Sequence, residues 1–351
     1  MAVVVQASDL ADLVAGTLNQ LGRGKYQQIA QNRQAYEIFT RWFKKEKVML
    51  DGGIGIQRTL MNRLPDAAAH VGLGAPDNVA ITDLVDQLQV PWVHAQTSWG
   101  VIYQETLMNQ GESLVYNIIK PRREGAMINL IELIESRAWQ APSSSSDKLN
   151  PYGIPYWVVK NSSSTPGFNG GAASGHTTVA GVSLTDSPTF KNYTFTYALS
   201  GGMSKTDAIP KMRTMLRKCN YRSPVPGSDY TSNVGRYALY VNGDTTEDMN
   251  AIGEAQNENL GRDLANPMYG AGQQMFRGFE VRWVPELDAD TANPVYALDH
   301  STFMVAGLKG NWFRESRNNA PMQHNIEQYF EEVSYNYLCV DRRRNGVGYG
   351  V

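Results

Sequence analysis

The spacing of apolar positions changes several times along the chain, and each change marks a part. In SDLADLVAGTLNQLG, Leu10, Leu13, Leu18 and Leu21 fall on one stripe. Ser8 stands at the capping position and Gly22-Arg-Gly24 ends the run, which predicts a short amphipathic helix. A second helical stretch covers about residues 33–45, with Ile38, Phe39, Trp42 and Phe43 apolar, and closes in the basic run KKEK. From Val48 to Tyr103 the texture turns extended and glycine-punctuated, which predicts a long irregular excursion built around a hairpin. So long an excursion is unusual in a free-standing enzyme. ESLVYNIIKPRREGAMINLIELIESRAW then carries the strongest helical spacing, with Val115, Ile119, Met127, Leu130, Ile134 and Ala138 near one face. Pro121 lies inside it, where a proline removes a backbone hydrogen bond and is expected to kink or divide the helix.

APSSSSD marks a boundary, followed by a stretch rich in Ser, Thr, Gly, Asn and Pro. NYTFTYALSGG alternates, with Tyr193, Phe195, Tyr197 and Leu199 on one face, and predicts a half-buried strand. DAIPKMRTMLRKCN predicts a helix with Asp207 as its cap, and YALYV a central strand. A helix over about 246–260 follows, then FEVRWV, PVYALD, STFMVAGL and a long run from Ile326 to Val340. This order is α+β, and the final strands are the natural partner of the long helix. The run stops at Asp341, three arginines follow, and a glycine-spaced tail closes the sequence.

Length and charge narrow the class. A chain of 351 residues is long for one compact core, so two lobes, or one with large insertions, are expected. Only 19% of residues are charged and the balance is −2, which argues against a basic nucleic-acid binder. Cys219 and Cys339 lie far apart and outside any CxxC motif, and read as buried thiols. His70, His94, His176, His300 and His324 are scattered without metal-ligand spacing. ELDAD lacks the rest of a calcium loop, GFNGGAASGHTT lacks the phosphate-loop lysine, and there is no GxSxG. The N-terminus has no secretion signal and no stretch approaches a membrane span, so folding in a reducing cytoplasm is expected. The residues by themselves describe a cytoplasmic mixed α/β protein with long arms, no visible catalytic site and no cofactor signature. Its extended segments need cover from neighbours, which favours an assembling structural protein over an enzyme.

The ordered parts resemble the major capsid proteins of tailed bacteriophages, with the Hong Kong ninety-seven type fold. DKLNPYGIPYWVVKN, FRGFEVRWVPEL with PVYALD, and YNYLCVDRRRNGV are similar to phrases of that family. The resemblance implies an N-terminal arm over 1–47, an extended loop over 48–103 and a peripheral domain with a long spine helix over 104–140. An axial domain over 141–299 and peripheral C-terminal strands over 300–351 complete it. It implies a non-enzymatic virion protein without cofactor, forming hexamers and pentamers of an icosahedral head around double-stranded DNA and assembled in the host cytoplasm. A separate scaffold protein, a portal and a decoration protein are the implied partners, and no membrane. Some relatives cross-link through a lysine in the extended loop, but residues 48–103 contain none. An encapsulin-type nanocompartment shell is the alternative, followed by a cytoplasmic enzyme with no visible motif. Two site expectations follow. Pro121 is expected to be a hinge of the spine helix. Arg342, Arg343 and Arg344 are expected to join subunits by pairing with a neighbour's carboxylates, with DNA contact and a solvated end as alternatives. The acidic run DTTED and the segment NPMYGAGQQ are expected near a capsomer axis.

Overall fold

A computed structural model of the chain describes residues 28–64, 68, 70, 72–73, 83–108, 119–161, 165–221, 236–257, 274–319 and 325–351. The helix expected at residues 8–21, the first part of the expected spine helix (111–118) and residues 266–273 lie outside the described residues.

Residues 28–38 run into a π-helical turn, Phe39–Phe43, which buries Trp42 and Phe43. Strand β1 (Lys47–Leu50) follows, then the hairpin strands β2 (Gly55–Met61) and β3 (Val85–Pro91), which pair antiparallel from Gly55↔Pro91 to Met61↔Val85. Strand β4 (Val93–Ile102) leads through helix α1 (Tyr103–Met108) towards the long helix α2 (Ile119–Ala138). Leu130, Ile134 and Ala138 of α2 are buried, and the helix packs across β4 and the C-terminal strand β12 (Ile326–Cys339). β12 is bordered by β4 on one edge and, in succession along the other, by β11 (Arg314–Asn319) and β10 (Phe303–Leu308). β1 closes the five-stranded sheet by pairing parallel with β10. The expected partnership of the long helix with the final strands is therefore present.

The middle of the chain forms the second lobe. Helical turn α3 (Ile154–Trp157) precedes β5 (Tyr193–Tyr197), helix α4 (Ala208–Cys219), β6 (Tyr237–Val241) and helix α5 (Gly243–Asn257). β7 (Gln274–Phe276) and β8 (Phe279–Trp283) form a hairpin, a 3-10 turn (Pro285–Ala289) follows, and β9 (Val295–Asp299) leads back to β10. The six-stranded sheet has the order β5-β13-β9-β6-β8-β7, with β13 being Gly346–Gly350. One face of this sheet carries α4 and α5 over a core that includes Met212, Met215, Leu239 and Val241. The opposite face, with Tyr240, Tyr296 and Leu298, joins the main core shared with α2, the π-helical turn, the hairpin and β12.

The place of β13 departs from the sequence reading, which grouped residues 300–351 with the peripheral strands. The glycine-spaced tail crosses over and becomes an internal strand of the other lobe, parallel to β5 and antiparallel to β9. Its glycines answer to close approach. A Cβ on Gly348 would meet the Phe195 ring at 2.0 Å, and one on Gly346 would meet Met215 Sδ at 2.6 Å. β5 also departs from expectation: it is buried on both faces, with Thr194 as enclosed as Phe195.

Candidate assembly surfaces and the arginine cluster

The three adjacent arginines form a 3-10 turn, Arg342–Arg344, between β12 and β13. Asp341 caps it by accepting from the Arg343 backbone N–H at 2.9 Å. Arg342 is 0% exposed and reaches back into the chain. It donates from Nε to the Trp157 carbonyl at 2.6 Å, and from its terminal nitrogens to the carbonyls of Gly171 (2.7 Å) and Phe190 (3.1 Å) and to Asn192 Oδ1 (3.0 Å). Burial lowers its pKa to about 10. Arg344 is also 0% exposed and pairs through Nε with the buried Asp299 carboxylate at 2.7 Å. Arg343 alone keeps a third of its side chain in solvent. It pairs with Asp341 at 3.1 Å and lies over the Tyr221 ring at 4.7 Å.

The sequence reading placed all three arginines at a subunit contact. For Arg342 and Arg344 this is corrected: both are enclosed by their own chain, Arg342 bonded to carbonyls and an amide and Arg344 paired with the Asp299 carboxylate. A buried guanidinium requires such partners, and the fold brings them from segments far away in sequence.

Helix α2 is clamped at both ends by charge. Near its start, Arg122 grips the buried Glu105 through two bonds of 2.6 and 3.0 Å, and also donates to the Gly100 carbonyl. Arg123 donates to Glu315 at 2.6 Å and lies 3.8 Å from Glu331. Glu331 is buried, and desolvation aided by the Glu315 charge pushes its carboxyl above the ordinary range, against the pull of Arg123. Further along, Glu132 accepts from the Asn32 backbone and side chain and from the Tyr36 hydroxyl. Burial works against its charge, but those donors win and hold its pKa below the ordinary value. Glu135, buried, accepts the backbone N–H groups of Ile38 and Phe39 and thereby ties down the start of the π-helical turn. Burial is the larger effect there and raises its pKa.

Pro121 is the third residue of α2 as described, so no intrahelical hydrogen bond within Ile119–Ala138 is lost to it. Residues 109–118, which precede it, lie outside the described residues.

His300 joins the two lobes. Trp42 Nε1 donates to its Nδ1 at 2.9 Å, and its Nε2 lies 3.1 Å from the Tyr240 hydroxyl. Burial first, and the charges of Arg41, Arg236 and Arg282 second, hold its pKa well below the ordinary value. The neutral ring therefore carries its proton on Nε2 and donates to Tyr240. The scattered histidines held no spacing signal for this role.

The hairpin excursion is only partly free of its own subunit. Ile56, Leu60, Leu88 and Val90 are buried in the main core, and Gln89 N–H donates to the Ala180 carbonyl at 2.8 Å. Asn62, Asp86 and Ser187 hydrogen-bond one another at its loop end. Among the described residues of this region, Ile54, Met61, Leu64, Leu73 and Val85 expose apolar side chains. Among the described residues there is no helix long and apolar enough to cross a membrane, and no group of three or more metal-ligating side chains.

No protein-family model and no curated protein matches the chain. Solved structures match over nearly its full length. The capsid of cyanophage A-1(L) aligns at TM-score 0.63 with 12% identity, covering 93% of this chain and 96% of that one. The capsid of a native GTA particle aligns at 0.59 with 10% identity, covering 97% of each. The capsid of cyanophage Pam1 aligns at 0.53 with 13% identity, covering 100% of this chain and 99% of that one. The chain thus has the mixed helix-and-sheet fold of phage capsid proteins. The hairpin excursion, the long helix on the five-stranded sheet and the second, six-stranded lobe are its parts.

Proposed function

We propose that this chain is the major capsid protein of a tailed bacteriophage: copies form hexamers and pentamers that close an icosahedral head around double-stranded DNA. The observation that carries the reading is the match of nearly the whole chain, in both directions, to capsid subunits of three particles. An arm root clamped on a long helix and a hairpin with exposed apolar residues also suit a subunit that is completed by neighbours. The role is structural and needs no cofactor. Assembly takes place in the host cytoplasm with a separate scaffold protein and a portal. The packaged DNA touches the inner face without sequence specificity. Pro121 acts as a hinge at the start of the long helix between precursor and mature shells. Arg343, the exposed member of its triplet, reaches a neighbouring subunit.

Electron microscopy and sedimentation of the expressed chain, with and without DNA-packaging functions, test this reading. Closed icosahedral particles that fill with DNA are expected. A monomer with measurable turnover overturns it, and small protein-filled shells without DNA point to a nanocompartment instead.

A further inference from the structure

The second lobe carries opposite charges over the two ends of one face of its six-stranded sheet. Helix α4 buries Ala208, Ile209, Met212, Met215, Leu216 and Cys219 against β5 and β13, which fixes the direction of its other face. That face exposes Arg213, Arg217 and Lys218, with Lys205 exposed just before the helix. Among the described residues none of these four has an ion pair, while Lys211 is held by Asp207 at 2.5 Å. Over the other end, α5 packs against β8 and the 3-10 turn Pro285–Ala289. It exposes Asp244 and Glu247 beside the exposed Asp288. Asp288 accepts from the Gly243 N–H at 2.7 Å and from Trp283 Nε1 at 3.1 Å, and the Trp283 side chain is left 36% exposed among these carboxylates.

The two patches do not neutralise each other within one subunit. α4 lies over the β5 end of the sheet and α5 over β8, several strands away. At about 4.8 Å per strand that is roughly 17 Å, twice the screening length of about 8 Å at physiological salt. Helix dipoles explain some of the signs, since acids favour an N-terminus and bases a C-terminus. They do not explain Lys205, which precedes the start of α4, or Arg213 in its middle. The chain as a whole is almost neutral at −2, so the separation is a matter of placement and not of composition.

The geometry points to a contact between copies of this chain, in which the α4 patch of one subunit docks on the α5 patch of another, with Trp283 within it. This rests on the shell reading above. In a two-fold contact the basic end of each copy faces the acidic end of the other, and in a ring each copy offers one end to each neighbour; both arrangements join unlike patches. The exposed tryptophan within a charged rim has the make-up of an interface anchor. The charges steer encounter and exclude reversed docking more than they add affinity.

The test is a charge swap. Arg213→Glu with Arg217→Glu is expected to reduce the particle fraction in sedimentation at least tenfold, with the melting temperature nearly unchanged. Asp244→Lys with Glu247→Lys is expected to do the same. All four changes in one chain restore a complementary pair at every contact and are expected to restore particles. A folded, soluble fourfold variant that does not assemble overturns the contact. So does a basic-patch variant that builds normal shells lacking DNA, because the α4 face is then a nucleic-acid surface. Absence of any ring or shell from the wild-type chain overturns the shell reading and this contact with it.

Discussion

Two basic clusters of this chain meet opposite fates. Arg342 to Arg344 are consecutive, yet two of them are wholly enclosed and bonded inside their own subunit. Arg213, Arg217 and Lys218 are spread over α4 and all stand in solvent. The first cluster belongs to folding. Its charges hold the crossover from β12 into β13, and thereby join the five-stranded sheet to the six-stranded one. The second has no part in the core, and its charges are left for association. Density of charge in the sequence therefore says little about role; what matters is whether distant segments supply buried acceptors.

The sharpest way to break this comparison is to remove Arg342. Arg342→Met keeps most of the apolar stem but takes the donor from the carbonyls of Trp157, Gly171 and Phe190, while Asn192 Oδ1 keeps the Val159 N–H. A loss on the order of 4 kcal/mol is expected in chemical denaturation, or failure to accumulate as soluble chain. A loss below about 1 kcal/mol would mean that the cluster contributes no more than a surface charge.

A pH titration probes the same buried network through His300. Its folded pKa is lowered, so the unfolded chain takes up the proton first as pH falls. Stability is then unaffected above about pH 6.5 and falls below it, by up to about 1.4 kcal/mol per pH unit until the folded pKa is reached. Glu135 and Glu331, whose folded pKa values are raised, slope the other way. The comparison is therefore between wild type and His300→Gln, and the slope between pH 6.5 and 5 is expected to flatten in the variant. Equal slopes would remove His300 from the joint between the lobes.

Arg343→Gln is expected to change subunit stability by at most about 1 kcal/mol, since its pair with Asp341 is partly exposed and screened. Smallest of all, Arg213→Ser with Arg217→Ser is expected to leave the denaturation midpoint of the isolated subunit within about 0.5 kcal/mol of wild type. A larger loss would assign the α4 cations to folding and erase the contrast with Arg342.

The parts that were legible before the structure share a local cause. The α2 stripe of Leu130, Ile134 and Ala138 and the long β12 run follow from a period of 3.6 or 2, YALYV from a continuous apolar run, and the hairpin from extended, glycine-punctuated texture. The tail GVGYG was not legible as a strand, because glycine disfavours strands on its own account. It is one because Phe195, Met215 and Leu199 leave no room for a Cβ. NYTFTYALSGG read as half-buried because its threonines look polar; the structure covers them as completely as the aromatic face.

Most elements, the mixed α+β class and the likeness to a capsid subunit can be read from residues close together in the chain; the last strand cannot. Which charges lie inside and which outside follows from the fold. The acceptors of Arg342 sit at residues 157, 171, 190 and 192, and the carboxylate facing Arg344 is Asp299. No periodic pattern around 342–344 contains them. Periodicity is a property of neighbours along the chain, whereas the burial of a charge depends on partners that the fold alone brings within 3 Å or so.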